Sequence, residues 1–379
     1  MSKTVKTLMV ILLLAVSLTL SFGAGCDLDI TNSSDTSRAL DTVEEAWEII
    51  FENYVDQERL DAGALSQAAI KAMITELDDP YTSYLSTERY QASMEELSGK
   101  FEGIGAYVGM REEQVMIIAP IVGSPAETAG IRAGDIILGI NGDSTEGLSL
   151  EEAVLLIRGP KGTSVRLLIL HEGETESVEI EIIRAEIKLS SVYFEMKEDI
   201  AYIQIAHFTE RTDEELTTIL ENISANGAAG IILDLRSNPG GLLETVIEVA
   251  SHFLEKGVVL YVVDNKGEQT PSQVKTGGIT TDLPVVVLVD SYSASGSEVL
   301  AGALQDHDRA IVAGAVTYGK GSVNTLHHLT DGSGLYITTG RWLTPDGRVI
   351  EGKGVIPDYE LDLENEDPVQ WAMDYLQGN

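Results

Sequence analysis

Three rhythms of hydrophobic and polar residues succeed one another along this chain, and each predicts a different kind of structure. From Asp41 to about Leu97 the apolar positions recur at helical spacing. Val43, Ala46, Trp47, Ile50 and Tyr54 form one stripe, Leu65, Ala68, Ala69, Ala72, Met73 and Leu77 a second, and Asp79-Pro80 ends the second helix. From Phe101 short strands take over. Phe101–Val108 and Val115–Ala119 precede a turn into a short helix at Gly123–Gly130, a hairpin at Ala133–Gly142, a helix from Ser149 to Arg158, and strands over Val165–His171 and Ser177–Ile183. From Ile187 apolar strands alternate with helices: Ile200–Ile205, helix Asp213–Ser224, Gly230–Leu235, helix Leu242–Phe253, Gly257–Val263, Leu283–Asp290 and Ala310–Gly314. That alternation predicts an α/β core whose strands are buried on both faces.

The candidate chemistry lies where one of those strands meets a helix. Leu283-Pro-Val-Val-Val-Leu-Val-Asp290 is a strand without a polar break, Val299-Leu-Ala-Gly-Ala-Leu-Gln-Asp306 reads as a helix, and Ser291-Tyr-Ser-Ala-Ser-Gly-Ser-Glu298 is the turn between them. Such a turn lifts a side chain out of the sheet beside the unpaired N–H groups and positive dipole end of a helix. A hydroxyl there sits next to donors for a developing oxyanion, as acyl transfer requires, although serines also serve simply as helix caps. A lysine, Lys320, follows in Val316-Thr-Tyr-Gly-Lys-Gly-Ser322, just past the strand Ala310–Gly314. Its amine works as a general base only when uncharged, which means a pKa lowered from about 10.4 toward 7 or 8, roughly 4 kcal/mol of differential stabilisation. Burial against apolar neighbours is the available means; on a solvated loop the same lysine would be an ordinary cation.

The Ser-Ala-Ser-Gly-Ser-Glu turn, the Gly-Ala-Leu-Gln-Asp helix and Thr-Tyr-Gly-Lys-Gly-Ser-Val resemble the carboxyl-terminal processing, or tail-specific, serine peptidases of bacterial type. The resemblance runs from about Asp41 to Pro357. It implies an α/β multidomain chain with an N-terminal helical segment, a permuted PDZ-like β-rich domain and a crotonase-like α/β serine peptidase core. It implies Ser295 as nucleophile and Lys320 as base. It also implies that the loop Arg236-Ser-Asn-Pro-Gly-Gly241 supplies one oxyanion donor, from Gly240 or Gly241, and Gly296 the other. Two positions depart from the family pattern. Asn324 stands where a glutamine usually orients the lysine, one methylene shorter, and Gly296 stands where alanine is usual.

The strand-rich segment resembles a PDZ domain, in which the glycines around Gly103-Ile104-Gly105-Ala106 turn N–H groups toward a peptide's terminal carboxylate while the peptide adds as a strand. Arg158, in Ile157-Arg-Gly-Pro-Lys161, is either a relay from that site to the peptidase or a surface charge at a helix end. The expected divisions are 1–26 export signal, 27–40 flexible tether, 41–98 helical cap or dimerisation segment, 99–186 PDZ domain, 187–360 peptidase core and 361–379 acidic tail, with Trp371 and Tyr375 spaced as in a short amphipathic helix.

Composition narrows the partners. With 379 residues the chain is long enough for several cores, and a formal net charge of −36 argues against nucleic acid or anionic lipid held by simple attraction. The single cysteine and six histidines offer no disulfide and no metal-ligand spacing, so no metal or organic cofactor is expected. Lys3 and Lys6 before the apolar run Leu8–Phe22, then Gly23-Ala-Gly before Cys26, fit an export signal. Cys26 falls where a bacterial lipoprotein is lipidated, though Gly23 replaces the usual leucine, so the expected location is extracytoplasmic with membrane association only through such an anchor. The expected activity is cleavage of protein or peptide substrates with exposed C-termini, and a homodimer through the N-terminal helices is a further expectation. The alternative is a non-catalytic PDZ adaptor or chaperone on a decayed peptidase fold, which Asn324 keeps open.

Overall fold

The computed structural model describes residues 33–378 except 112 and 122; the export signal, Cys26 and the first residues of the tether lie outside the described residues. The chain divides into two units, Met1–Met73 and Ile74–Asn379. In the first, helix α1 (Ser33–Asn53) is followed by a 3-10 turn at Gln57–Arg59 and helix α2 (Ala62–Thr75). Helix α1 starts inside the stretch expected to be a flexible tether, because no glycine or proline interrupts residues 33–53. Trp47 and Phe51 stack with ring centroids 4.9 Å apart, while Val43, Ile50 and Tyr54 on the predicted stripe are exposed.

Residues from Ile74 onward, the later part of the stretch expected as the helical segment over 41–98, belong to the second unit. After the turn at Pro80, strand β1 (Ser83–Leu85) and helix α3 (Thr87–Ser98) lead into strand β2 (Lys100–Gly103). The PDZ-like part follows: β3 (Ala106–Arg111), β4 (Gln114–Pro120), α4 (Pro125–Thr128), β5 (Ile136–Ile140), β6 (Asp143–Ser144), α5 (Leu150–Ile157), β7 (Ser164–Leu170) and β8 (Val178–Ile183). Its sheet runs β3-β4-β5-β7-β8 around a core that includes Ile117, Ile140, Leu167 and Ile182. Serines start both helices by accepting backbone N–H groups, Ser124 from Glu127 and Ser149 from Glu152. Strand β9 (Ala185–Lys188) then pairs antiparallel with β2, so this part is entered and left through one two-stranded ribbon.

The α/β part contains β10 (Val192–Lys197), β11 (Ile200–Ile205), α6 (Thr212–Asn226), β12 (Gly230–Asp234), α7 (Leu243–Ser251), β13 (Val258–Val263), β14 (Gln269–Gln273), β15 (Val285–Val289), α8 (Gly296–Asp306) and β16 (Ile311–Gly314). It closes with β17 (Ser322–His328), β18 (Gly334–Leu343), β19 (Tyr359–Glu360) and α9 (Pro368–Gln377). Its main sheet has the order β10-β11-β12-β15-β16-β19, parallel from β11 onward. Every residue of β12 and β15 is buried. Successive side chains of a strand face opposite sides. Val285, Val287 and Val289 accordingly join the cluster under α6, α7 and α8, whereas Val286 and Leu288 join the one with Ala372 on α9. A second sheet, β1-β18-β13-β14 with β17 also on β18, flanks the carboxyl end of the first. Strand β1 enters it through the register Ser83↔Tyr336 to Leu85↔Gly334, which brings residues 79–85 to the lysine loop.

Candidate active site

Strand β15 ends at the turn Asp290–Ser295, and α8 begins at Gly296. Ser295 caps that helix with φ 54° and ψ −111°, a conformation L side chains rarely adopt and one that stores about 1–3 kcal/mol of strain. The surrounding network holds it there. The Asp290 carboxylate accepts from the N–H groups of Tyr292 and Ser293 at 3.0 and 2.9 Å and from the N–H of Ser237 across the cleft at 3.0 Å. Strain at a strand-to-helix turn is how a serine is thrust out of a sheet toward a substrate.

The Asn-Pro-Gly-Gly loop packs directly on this turn. Asn238 Nδ2 donates to the Ile205 carbonyl at 2.8 Å, and its backbone carbonyl accepts from Ala294 N at 3.0 Å and Ser297 Oγ at 2.9 Å. At Gly240 a Cβ would lie 2.8 Å from Gly296 N and 2.9 Å from Ser295 Cβ, and at Gly241 one would lie 2.1 Å from the Phe208 carbonyl oxygen. Only glycine allows that approach. The two glycines differ in what their N–H groups do: Gly240 N donates to Asn238 Oδ1 at 2.8 Å, and Gly241 N makes no hydrogen bond among the described residues. Gly296 N, at the first position of α8, is likewise uncommitted. Both free N–H groups line the same cleft as Ser295, about 240 Å³ in volume, whose walls include Leu97, Leu242, Val299, Val323, Leu326 and Tyr336.

The lysine loop reaches the serine turn through one carboxylate. Glu298 is fully buried in the first turn of α8 and accepts four hydrogen bonds: Oε1 from Thr317 Oγ1 at 2.6 Å and Gly319 N at 2.7 Å, Oε2 from Ser295 N at 2.8 Å and Lys320 N at 2.9 Å. One oxygen atom thus ties the backbones of Ser295 and Lys320 together. Burial pushes the Glu298 carboxyl up, and its four donors pull it back. Four donors facing one side chain fit the ionised form, which is acceptor-only.

The Lys320 side chain is half-buried, with Nζ 5.3 Å from the Tyr81 ring centroid and 5.6 Å from that of Tyr336. No hydrogen bond joins it to the Ser295 hydroxyl among the described residues. Burial lowers its pKa from the ordinary lysine range, and Glu351, then Glu298 and Asp79, oppose that shift. Burial likewise pushes the Tyr81 and Tyr336 hydroxyls up. Asn324 does not bond to Lys320. Its Nδ2 donates to the Tyr81 carbonyl at 3.1 Å and Thr338 Oγ1 at 3.0 Å, and its Oδ1 accepts from Ser322 Oγ at 3.0 Å. It fixes the segment carrying the ring over the amine rather than the amine itself.

The structure thus brings Ser295, Gly241, Gly296 and Asn324 to one cleft and the Lys320 backbone to its edge. Tyr81, Tyr336, Asn238 and the clamp at Glu298 escaped the sequence analysis; Ser295-Gly-Ser-Glu298, an N-cap and acidic third residue, was the one signal that pointed to the clamp. His307 caps the far end of α8 and faces the Val258 carbonyl at 2.8 Å, about 18 Å along the helix from Ser295. Among the described residues no cluster of three His, Cys, Asp or Glu could hold a metal, and no helix is long and apolar enough to cross a membrane.

A second groove lies in the PDZ-like part, about 230 Å³ and lined by Phe101, Gly103, Ile104, Gly105, Ala106, Val154 and Arg158 among others. Gly105 has φ 76°, and a Cβ there would lie 2.4 Å from Ser124 Cβ, so the turn between β2 and β3 closes on the start of α4. Arg158, expected as either a relay or a surface charge, borders the groove, lies 5.1 Å from the Phe101 ring centroid and pairs with Glu95 of α3 at 2.9 Å.

Comparison with known proteins matches residues 199–361 to Peptidase family S41, residues 116–170 to a PDZ domain and residues 25–89 to the N-terminal domain of the activating protease CtpB. The carboxy-terminal processing protease CtpA of Bacillus subtilis (strain 168) is 38% identical over 370 residues, which cover 96% of this chain and 78% of that protein. A probable CtpA-like serine protease of Staphylococcus haemolyticus (strain JCSC1435) is 38% identical over 333 residues, covering 87% of this chain and 66% of that protein. Among solved structures, the photosystem II D1 C-terminal processing protease superposes with a TM-score of 0.52 at 29% identity, covering 89% of this chain and 96% of that one.

Proposed function

Because this chain belongs to Peptidase family S41 and is a carboxy-terminal processing serine protease with a PDZ domain, we propose that Ser295 and Lys320 form its catalytic dyad and that the PDZ groove recognises the C-terminal tails of its substrates. The observation that carries the dyad is the shared Glu298 oxygen, which fixes the serine turn and the lysine loop as neighbours. Ser295 Oγ attacks the scissile carbonyl while its proton passes to the neutral Lys320 amine. Gly296 N–H and Gly241 N–H donate to the oxyanion; the bond from Gly240 N–H to Asn238 supports Gly241 rather than Gly240 in that role. Lys320, now an ammonium, returns the proton to the leaving amine, and water releases the acyl group by the same path in reverse. Asn324 keeps Tyr81 and the lysine's surroundings in place.

The tail-binding half rests on the groove around Gly103–Ala106, where a peptide can add as a strand with its carboxylate at the glycine turn. Export through residues 1–26, lipidation at Cys26 and an extracytoplasmic location complete the proposal and rest on the sequence pattern alone. The exposed Val43, Ile50 and Tyr54 stripe supports pairing with a second copy.

The test is cleavage of a substrate with an exposed C-terminal tail by the full chain and by Ser295→Ala, with tail-peptide binding measured on both. We expect cleavage to fall by at least about 1,000-fold with binding unchanged. Equal cleavage by both would remove Ser295 as nucleophile, and binding by both with no cleavage by either would favour the adaptor.

A further inference from the structure

The lysine loop is covered by the turn Ile350–Gly354. A Cβ at Gly321 would lie 2.5 Å from Glu351 N and 2.9 Å from Glu351 Cβ, and Gly352 N donates to the Gly319 carbonyl at 2.9 Å. Glu351 is therefore pressed against the backbone on which Lys320 sits, yet its Oε2 is buried and accepts no hydrogen bond. A buried carboxylate oxygen without a donor calls for a nearby cation.

Lys320, the residue before Gly321, is the side chain whose charged form Glu351 favours, and no ion pair of 4 Å or less joins the two among the described residues. Its Nζ lies over the Tyr81 and Tyr336 rings, and ring faces attract an ammonium far more than a neutral amine. The charged or titratable groups around it are Asp79 and Tyr81 from the segment before β1, Glu298 from α8, Tyr336 from β18 and Glu351 from the covering turn; Arg341 of β18 faces Asp79, and Tyr318 faces Tyr81. Glu298 is committed to its four donors, and Asp79 to Thr82 Oγ1 and Tyr81 N. Glu351 alone among these carboxylates keeps a buried oxygen uncommitted.

We propose that Glu351 is a positioning residue which, with the Tyr81 and Tyr336 rings, holds Lys320 as an ammonium parked away from Ser295 in the resting enzyme. Activation is then loss of one proton from Nζ to solvent, followed by rotation of the lysine stem toward the serine hydroxyl. This deepens the dyad described above and rests on it. Removing the carboxylate weakens the hold on the charged form, so the proton leaves at lower pH.

The test is the pH dependence of kcat/KM on a tail peptide for the full-length wild type, Glu351→Gln, Glu351→Asp, Tyr336→Leu and Lys320→Ala. The acidic limb should move to lower pH by about 0.5 unit or more in Glu351→Gln. Tyr336→Leu should move it in the same direction, and Glu351→Asp should stay near the wild type. A limb that stays in place, or moves to higher pH, in both Glu351→Gln and Tyr336→Leu overturns the proposal, since a packing role would lower the rate without moving the limb. Should Glu351→Gln fail to fold by circular dichroism, Tyr336→Leu decides alone. Wild-type activity in Lys320→Ala would instead overturn the dyad, which separates the two failures.

Discussion

The serine turn and the lysine loop meet at Glu298, but they hold their functional atoms in opposite ways. At the serine turn the backbone decides: Ser295 has a short side chain on a strained residue, braced by Asp290 beneath it and by Asn238 and Gly240 across the cleft. At the lysine loop the backbone is equally well anchored, by Glu298 and by the Trp342 Nε1 bond to the Lys320 carbonyl at 3.0 Å, yet four methylenes separate that anchor from the amine. Tyrosine rings and carboxylates decide where the amine rests. The Ser295 hydroxyl is placed in advance and the Lys320 amine is adjustable, so in the proposed dyad control of activity belongs to the lysine side.

The contrast is broken most severely at the clamp both regions share. Glu298→Gln would present an amide NH₂ to a site lined by three N–H groups and a hydroxyl. Leaving buried donors unpaired costs about 1–3 kcal/mol each, so kcat/KM should fall by at least about 100-fold, with a lowered midpoint in thermal unfolding. Next comes Gly241→Ala. The added methyl would meet the Phe208 carbonyl at 2.1 Å and displace the free N–H, so we expect kcat to fall by about 100-fold or more while tail-peptide binding to the PDZ groove is unchanged.

Gly296→Ala is milder. Its methyl would meet Val246 Cγ2 at 2.8 Å, an overpacking worth about 1–3 kcal/mol, and Val246→Ala in the same chain should restore both stability and rate. The smallest effect belongs to Asn324→Gln, which disturbs the bonds to Tyr81 and Thr338 and should lower kcat/KM by about 2- to 10-fold. A rise in turnover would mean that the longer amide reaches the Lys320 amine directly.

Much of this contrast was visible in residue order. The unbroken Val/Leu strand, the serine turn and the apolar helix after it are local features, and the two faces of β15 feed two cores as a doubly buried strand must. Contacts distant in sequence were not legible. Tyr81 reaches the lysine because β1 pairs with β18, a partnership no local pattern announces. The choice between Gly240 and Gly241 was open from sequence because it depends on which N–H the Asn238 side chain captures. The fit of Gly-Lys-Gly was likewise hidden, since its glycines answer to the backbone of residues 350–354.

The most direct test of the central claim, that an uncharged Lys320 activates Ser295, is the rate at which a fluorophosphonate modifies Ser295 as a function of pH, in the wild type and in Lys320→Ala. The wild-type rate should rise with pH through a single ionisation below the ordinary lysine range, in the direction burial gives Lys320, and the variant should react at least about 100-fold more slowly without that ionisation. Identical rates and profiles in the two proteins would contradict the account.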